Sequence, residues 1–334
     1  MTHAAITIGG PAHNEEKRIA RFLTDLVRNL RSFSERNHPV EIIVVANGCV
    51  DQTEAVVEDF ARQQGIFFQR VTISAETHAP DVKLGLVLKL LATDVKSKSH
   101  AWNQIYDLAT SEVIFFFDAD VRLEDDTVKI LHEHLLRSPD LFAVAADVQP
   151  ARSSASLFHL YLVFQEKIAR SHCRQKISGA GYAIRKDKRM VTQLPENLIG
   201  DDAYLTTLIA VTDASPYRPG IDKLLRDPKA VVWHSPAKSM MAFYRGTLRA
   251  HCGTRQNDQI WGNHHKAIKD RIRDVRSRQE KMRCLNNREK ICWFFLKLVF
   301  APIAKLLVKR AKRKAEAHVS DTSMETYSVW STKR

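Results

Sequence analysis

The sequence predicts an α/β protein built on a parallel, doubly wound sheet, and three features carry that prediction. Short apolar runs alternate with amphipathic stretches, one run is apolar throughout, and polar clusters follow three of the runs. Residues 4–9 and 41–46 read as strands, the second rich in β-branched residues (Ile42, Ile43, Val44, Val45) and bounded by Asn47-Gly48. Between them, residues 15–33 place Ile19, Phe22, Leu23, Leu26 and Leu30 at helical spacing. A helix over 53–64 and a strand over 66–73 follow. Residues 75–98 carry no clear strand signal and read as a loop-rich insertion with some helix, and 101–109 read as helix. The run Val-Ile-Phe-Phe-Phe at 113–117 is the pattern of a strand buried on both faces, and it stops at Asp118. Helices near 125–137 and 156–171 bracket a strand near 141–147; a strand at 181–184, a helix starting near Asp202, a strand at 230–233 and a helix at 239–255 complete the series.

The 334 residues suffice for one large domain with an appendage or for two small domains. The net charge of +13 is concentrated: residues 262–314 hold 17 Lys/Arg against 4 Asp/Glu, which leaves 34 of each elsewhere. A basic appendage on a neutral body implies an anionic partner surface, membrane or nucleic acid. The five cysteines are odd in number, scattered and without a Cys-x-x-Cys pair, which argues against a disulfide framework or zinc site and suits a reducing cytoplasm. The first residues lack the pattern of a signal peptide.

In an open parallel sheet, ligands collect beyond the carboxyl ends of the strands. Three clusters fall there: Pro11-Ala12-His13-Asn14-Glu15-Glu16, Ala46-Asn47-Gly48-Cys49-Val50-Asp51, and Asp118-Ala119-Asp120. Two carboxylates at a spacing of two can face one cation if the backbone turns between them. Their oxygens suit Mg²⁺ or Mn²⁺, which also bind diphosphate. Asp-x-Asp alone is a weak signal; its place after a buried strand gives it weight.

These clusters, with Lys98-Ser99-His100-Ala101-Trp102-Asn103, Ser178-Gly179-Ala180-Gly181 and Gly200-Asp201-Asp202-Ala203-Tyr204-Leu205, resemble family 2 glycosyltransferases over residues 4–255. The resemblance implies the GT-A fold, a Rossmann-like mixed sheet flanked by helices, over 1–255. A basic helical appendage at 256–314 and a polar, disordered tail at 315–334 complete the expected organisation. It also implies roles. Pro11, Ala12 and Glu15 would line the base and ribose pocket of a nucleotide-sugar donor; Asn47 stands where the family usually has Asp. Lys98 and Asn103 would lie near the nucleotide. Asp118 would approach ribose or metal with Ala119 beside it, and Asp120 would bind the metal, Mn²⁺ or Mg²⁺. The loop at 178–181, with Gly179, would lie against sugar and acceptor. Asp202 matches the catalytic base, which takes the acceptor's hydroxyl proton; a helix cap is the other reading of Asp201 and Asp202. His234 would be a third metal ligand, and Arg249, one helical turn after Arg245, would hold the diphosphate. The Gln-x-x-Arg-Trp of polymer synthases is missing from 245–250, which favours transfer of a single sugar.

In the appendage, residues 291–308 form an apolar stretch of about 27 Å as a helix, interrupted by Lys297, Pro302 and Lys305. Lys290, Lys297, Lys305, Lys309 and Lys312 fall in a sector of roughly 120°, mostly apart from Trp293, Phe295, Leu296, Val299, Phe300 and Ile303. That pattern predicts a helix lying in a membrane interface, with packing on the catalytic domain as the alternative. The pair His264-His265 reads as an exposed loop. The expectation is an inverting, metal-dependent transferase acting on a glycan or lipid-linked acceptor, cytoplasmic and peripheral at the inner membrane face. Two rivals are a sugar-nucleotide nucleotidyltransferase, for which residues 11–16 lack a Gly-rich basic loop, and a nucleic-acid-binding protein, which leaves the strand-end acids unexplained.

Overall fold

The structure, a computed structural model, describes residues 6–34, 39–72, 85–169, 176–177, 179–187, 193–212, 223–271 and 278–320. It falls into two compact units, one of Met1–Val148 with Arg174–Val232 and the other of Gln149–Cys173 with Trp233–Val329.

The first unit opens with β1 (Ile6–Ala12), α1 (Ile19–Ser34), β2 (Val40–Asn47), α2 (Thr53–Gln64) and β3 (Phe67–Val71). Ile19, Phe22, Leu23, Leu26 and Leu30 on α1 are all buried, as their spacing predicts. Next come β4 (Leu86–Thr93), α3 (Lys98–Leu108), β5 (Val113–Phe117), the two-residue β6 (Arg122–Leu123), α4 (Thr127–Arg137) and β7 (Ala143–Pro150). After α5 (Leu157–Ala169) the chain adds β8 (Gly181–Arg185), α6 (Asp201–Thr212) and β9 (Leu224–His234).

The strand order is β3-β4-β2-β1-β5-β8-β7-β9-β6. The first five are parallel, while β8 runs antiparallel to both β5 and β7. The sheet is therefore mixed, not purely parallel. Chain order reverses between β1 and β5, so the ligand crevice of such a sheet opens where Ala12 and Asp118 stand. Helix α3 packs tightly on β1: a Cβ on Gly9 would come within 2.3 Å of Ile105, so only glycine fits there.

One element departs from the sequence reading. Leu86–Thr93, within the expected insertion, is a central strand between β2 and β3, while residues 73–84 lie outside the described residues. A lysine in the middle of a leucine-rich run argues against a buried strand, yet Lys89 is only 5% exposed. Its ammonium meets Glu41 on β2 at 2.8 Å, and Glu41 also accepts from Thr7 Oγ1 and from the amide and hydroxyl of Thr110. Lys89→Met leaves Glu41 without its counter-ion and is expected to cost about 3 kcal/mol, since breaking a buried pair strands the remaining ion. The three surviving donors to Glu41 keep the loss from being larger. Urea unfolding checks this; a variant within experimental error of the parent would show that the pair does not hold the sheet.

The second unit contains α5, α7 (Met240–Trp261), α8 (Asn263–Arg271), α9 (Arg278–Lys281), a 3-10 turn at Met282–Cys284 and α10 (Asn287–Ser320). Phe158, Tyr161 and Leu162 of α5 pack with Trp293, Leu296 and Ala304 of α10. The Phe300 ring meets Phe158 edge-on at 5.5 Å and lies tilted against Tyr161 at 5.9 Å. Helix α10 thus has a packed side, but not the division its lysines suggest. Trp293 and Leu296 face inward, Phe295 and Val299 face outward, and Lys297 lies 4.9 Å over the Trp293 ring. His264 and His265 are not in a loop: both belong to α8, and buried His265 pairs with Asp258 at 2.7 Å. Cys49, Cys252, Cys284 and Cys292 are free thiols. Residues 321–334, most of the expected polar tail, lie outside the described residues.

Candidate functional site

The loops after β1 and β2 are laced together before any ligand arrives. Asn14 adopts a positive φ of 57°, which turns its carboxamide oxygen toward the Val50 amide at 2.9 Å. His13 Nδ1 lies 2.7 Å from the Asn47 carbonyl, where its N–H tautomer donates. The Glu15 amide donates to Thr53 Oγ1, and the Glu16 amide to Asp51 Oδ2. Burial pushes the Asp51 carboxyl up, but hydrogen bonds from Thr53 and the Glu16 amide outweigh it and hold the group below its usual range. Gly48, at φ 61°, closes the second loop by donating to the Thr93 carbonyl at 2.6 Å.

Pro11 and buried Ala12 end β1 beside this lattice. Asn47 is 2% exposed, and its buried carboxamide oxygen has no hydrogen-bond partner among the described residues, which leaves it available to a ligand donor. Glu15 holds Arg18 at 2.7 Å, and Arg18 in turn reaches Asp120 at 3.3 Å. Arg18 is a site residue beyond those the motifs mark; its place one turn after Glu15 is the signal in the sequence that could identify it.

On the other side of the reversal, Lys98 draws three expected clusters into one. Its ammonium lies 2.8 Å from Asp118, 3.2 Å from Asp201 and 3.3 Å from the Gly179 carbonyl. Burial acts to lower the pKa of Lys98, and the two carboxylates override it, holding the ammonium well above its usual range. Burial likewise pushes the Asp201 carboxyl up, against the pull of Lys98. The 3.2 Å contact with the ammonium pairs Asp201 with Lys98. Asp202, in the first turn of α6, lies against Gly179: a Cβ there would be 3.4 Å from the Asp202 side chain. Trp102 of α3 supports the arrangement, stacking at 4.8 Å on Phe116 and donating from Nε1 to the Tyr182 hydroxyl at 2.8 Å.

Asp118 and Asp120 remain 33% and 45% exposed at their side chains, one facing Lys98 and the other Arg18. Ala119 between them is buried, and the Val121 amide closes the turn on the Asp118 carbonyl. As accessible hard-oxygen donors the two carboxylates suit a divalent metal, which would have to displace Lys98 and Arg18 from them. Among the described residues, no three His, Cys, Asp or Glu side chains gather as a metal cluster.

The remaining expected residues divide. Asn103 is buried and uses both ends of its carboxamide on the Leu194 backbone, which fixes that loop. His234 belongs to the second unit, where Nε2 meets Glu166 at 2.7 Å. Arg245 and Arg249 are exposed on α7 in the same unit. Ser178 lies outside the described residues.

The family described as glycosyl transferase family 2 matches residues 7–178, slightly more than half of the chain. The fold is also that of a mannosyltransferase, PcManGT from Pyrobaculum calidifontis, solved with GDP-Man and Mn²⁺. That likeness has a TM-score of 0.53 at 18% identity and covers 96% of this chain and 77% of the other. Residues 1–349 of S. aureus TarS give a TM-score of 0.47 at 15% identity over 96% and 93%, with the same figures for its complex with UDP-GlcNAc. No curated protein matches.

Proposed function

The chain belongs to glycosyl transferase family 2, and we propose that it moves one hexose from a nucleotide-diphosphate sugar to an acceptor hydroxyl, with inversion. The observation that carries the reading is the convergence of Asp118, Asp201 and Gly179 on Lys98 at the reversal of strand order, with Asp202 lying against Gly179. Pro11, Ala12, Glu15 and Asn47 form the base and ribose side, with the unpaired Asn47 oxygen accepting from the base. Asn103 acts on the pocket by holding the 194 loop. Asp202 takes the proton from the acceptor hydroxyl, and Gly179 leaves space for sugar and acceptor to approach it. Lys98 offsets the charge of the carboxylates and of an incoming diphosphate.

Asp118 and Asp120 would hold Mn²⁺ or Mg²⁺. When bound, the cation supplies charge stabilisation to the leaving diphosphate. The acceptor is a glycan or lipid-linked saccharide met at an anionic membrane face, in keeping with the positive excess of 262–314.

A thermal-shift screen of UDP-, GDP- and dTDP-sugars with Mn²⁺ tests the donor class. A ligand at a hundredfold over its Kd stabilises the fold by about 2.7 kcal/mol. Asp120→Ala is expected to weaken the metal-dependent part of that shift about tenfold to a hundredfold in apparent metal affinity. Full metal-dependent stabilisation in the variant would remove Asp120 from the site.

A further inference from the structure

Helix α10 has two separate faces. Trp293, Leu296, Ala304, Ala311 and Ala315 are buried. At 3.6 residues per turn they span about 100°. On the far side Ile291, Phe294, Phe295, Leu298, Val299 and Leu306 are 55–66% exposed. These six span about 140° opposite the packed side. Soluble surfaces rarely leave so many large apolar side chains contiguous and uncovered. The same 140° sector continues with exposed Lys305, Lys309, Lys312 and Arg313. One outward strip is therefore apolar for about four turns and cationic for the next two or three.

From this strip we infer that α10 is a monotopic docking helix whose outward face enters an anionic phospholipid surface. The assignment rests on the membrane reading of the acceptor and extends it to a named face. The apolar side chains leave water for the acyl boundary, and the cations beyond Lys305 meet lipid phosphates. Charge decides the occupant. A second copy of the chain would bring its own positive excess to the contact, whereas an anionic lipid surface neutralises it. By length and composition α10 could cross a membrane: its most apolar window has a mean hydropathy of 2.0 and is 17% buried. Its inner side, however, is occupied by Phe158, Tyr161 and Phe243 of α5 and α7. A spanning helix would have to shed that packing.

The test is sedimentation of the full chain with phosphatidylcholine vesicles, with and without phosphatidylglycerol, at low and high salt. Binding is expected to require phosphatidylglycerol and to weaken with salt. Lys309→Gln and Lys312→Gln should each weaken partition about fivefold, the effect of losing one surface cation. The triple change Phe294→Ser, Phe295→Ser and Leu298→Ser should weaken it more than tenfold, with circular dichroism unchanged because these side chains are exposed. Nucleotide-sugar thermal shifts should be the same in all variants, so loss of docking is distinguishable from failure of the transfer reading. Salt-insensitive binding to neutral vesicles that resists alkaline carbonate would overturn the proposal for a spanning helix. A lipid-independent dimer that the serine changes dissolve would overturn it for a second copy.

Discussion

Asp202→Asn is expected to lower the transfer rate by about 10²–10⁴-fold, the usual contribution of a placed general base, while donor affinity stays within a few-fold of the parent. The substitution is isosteric. Asn retains the oxygen that accepts from the Ala203 amide at 2.9 Å, so the first turn of α6 keeps its geometry. What it loses is the capacity to take a proton. Asp201 cannot substitute, because its carboxylate is buried and bound to Lys98. The carboxyl that lies against Gly179 is that of Asp202. The informative measurement is kcat and KM together with calorimetric donor binding. Near-normal kcat with the donor bound would end the assignment of Asp202 as base. Lost donor binding would instead make it a ligand of the nucleotide.

The sequence shows some layers of this structure openly and hides others. Helix α1 and strands β1, β2 and β5 announce themselves because each is specified locally, by apolar spacing or by a run ending on a polar residue. Strand β4 does not, because its sequence makes sense only beside β2: Lys89 is tolerable in a sheet interior when Glu41 stands next to it, and the two are 48 residues apart. A period count cannot see such a pair. The same limit applies at the site. Asp118, Asp120 and Asp202 could be picked out as strand-end or helix-start acids, but the ion pair that assigns Asp201 to Lys98 is a tertiary fact. So is the lattice by which Asn14, Asp51 and Thr53 tie together the loops after β1 and β2. For α10, composition gave the two ingredients, apolar bulk and lysine. Only packing against α5 could decide which apolar residues are spent inward and which are left outside.

Lys98→Met is expected to destabilise the first unit by about 3–5 kcal/mol near neutral pH, the range for removing one member of a buried ionic cluster. Most of that arises at Asp201. Its side chain is 9% exposed, so without Lys98 it must either stay charged in a dry setting or take up a proton. Asp118 is one-third exposed and can turn to water, so it contributes less. Two further measurements separate this account from simple loss of packing. The double variant Lys98→Met with Asp201→Asn should recover much of the stability, because the orphaned charge is gone; purely additive losses would mean the pair is not coupled. The second measurement uses Mn²⁺ alone. In the parent, Lys98 lies 2.8 Å from an oxygen of Asp118, where it competes with a divalent cation for the same carboxylate. Removing it should therefore increase the melting shift produced by Mn²⁺, even as transfer falls by about a hundredfold if Lys98 offsets the diphosphate charge as proposed. An unchanged Mn²⁺ shift would mean that Lys98 and the metal do not share Asp118. In that case the lysine's place between the two aspartates would be structural alone.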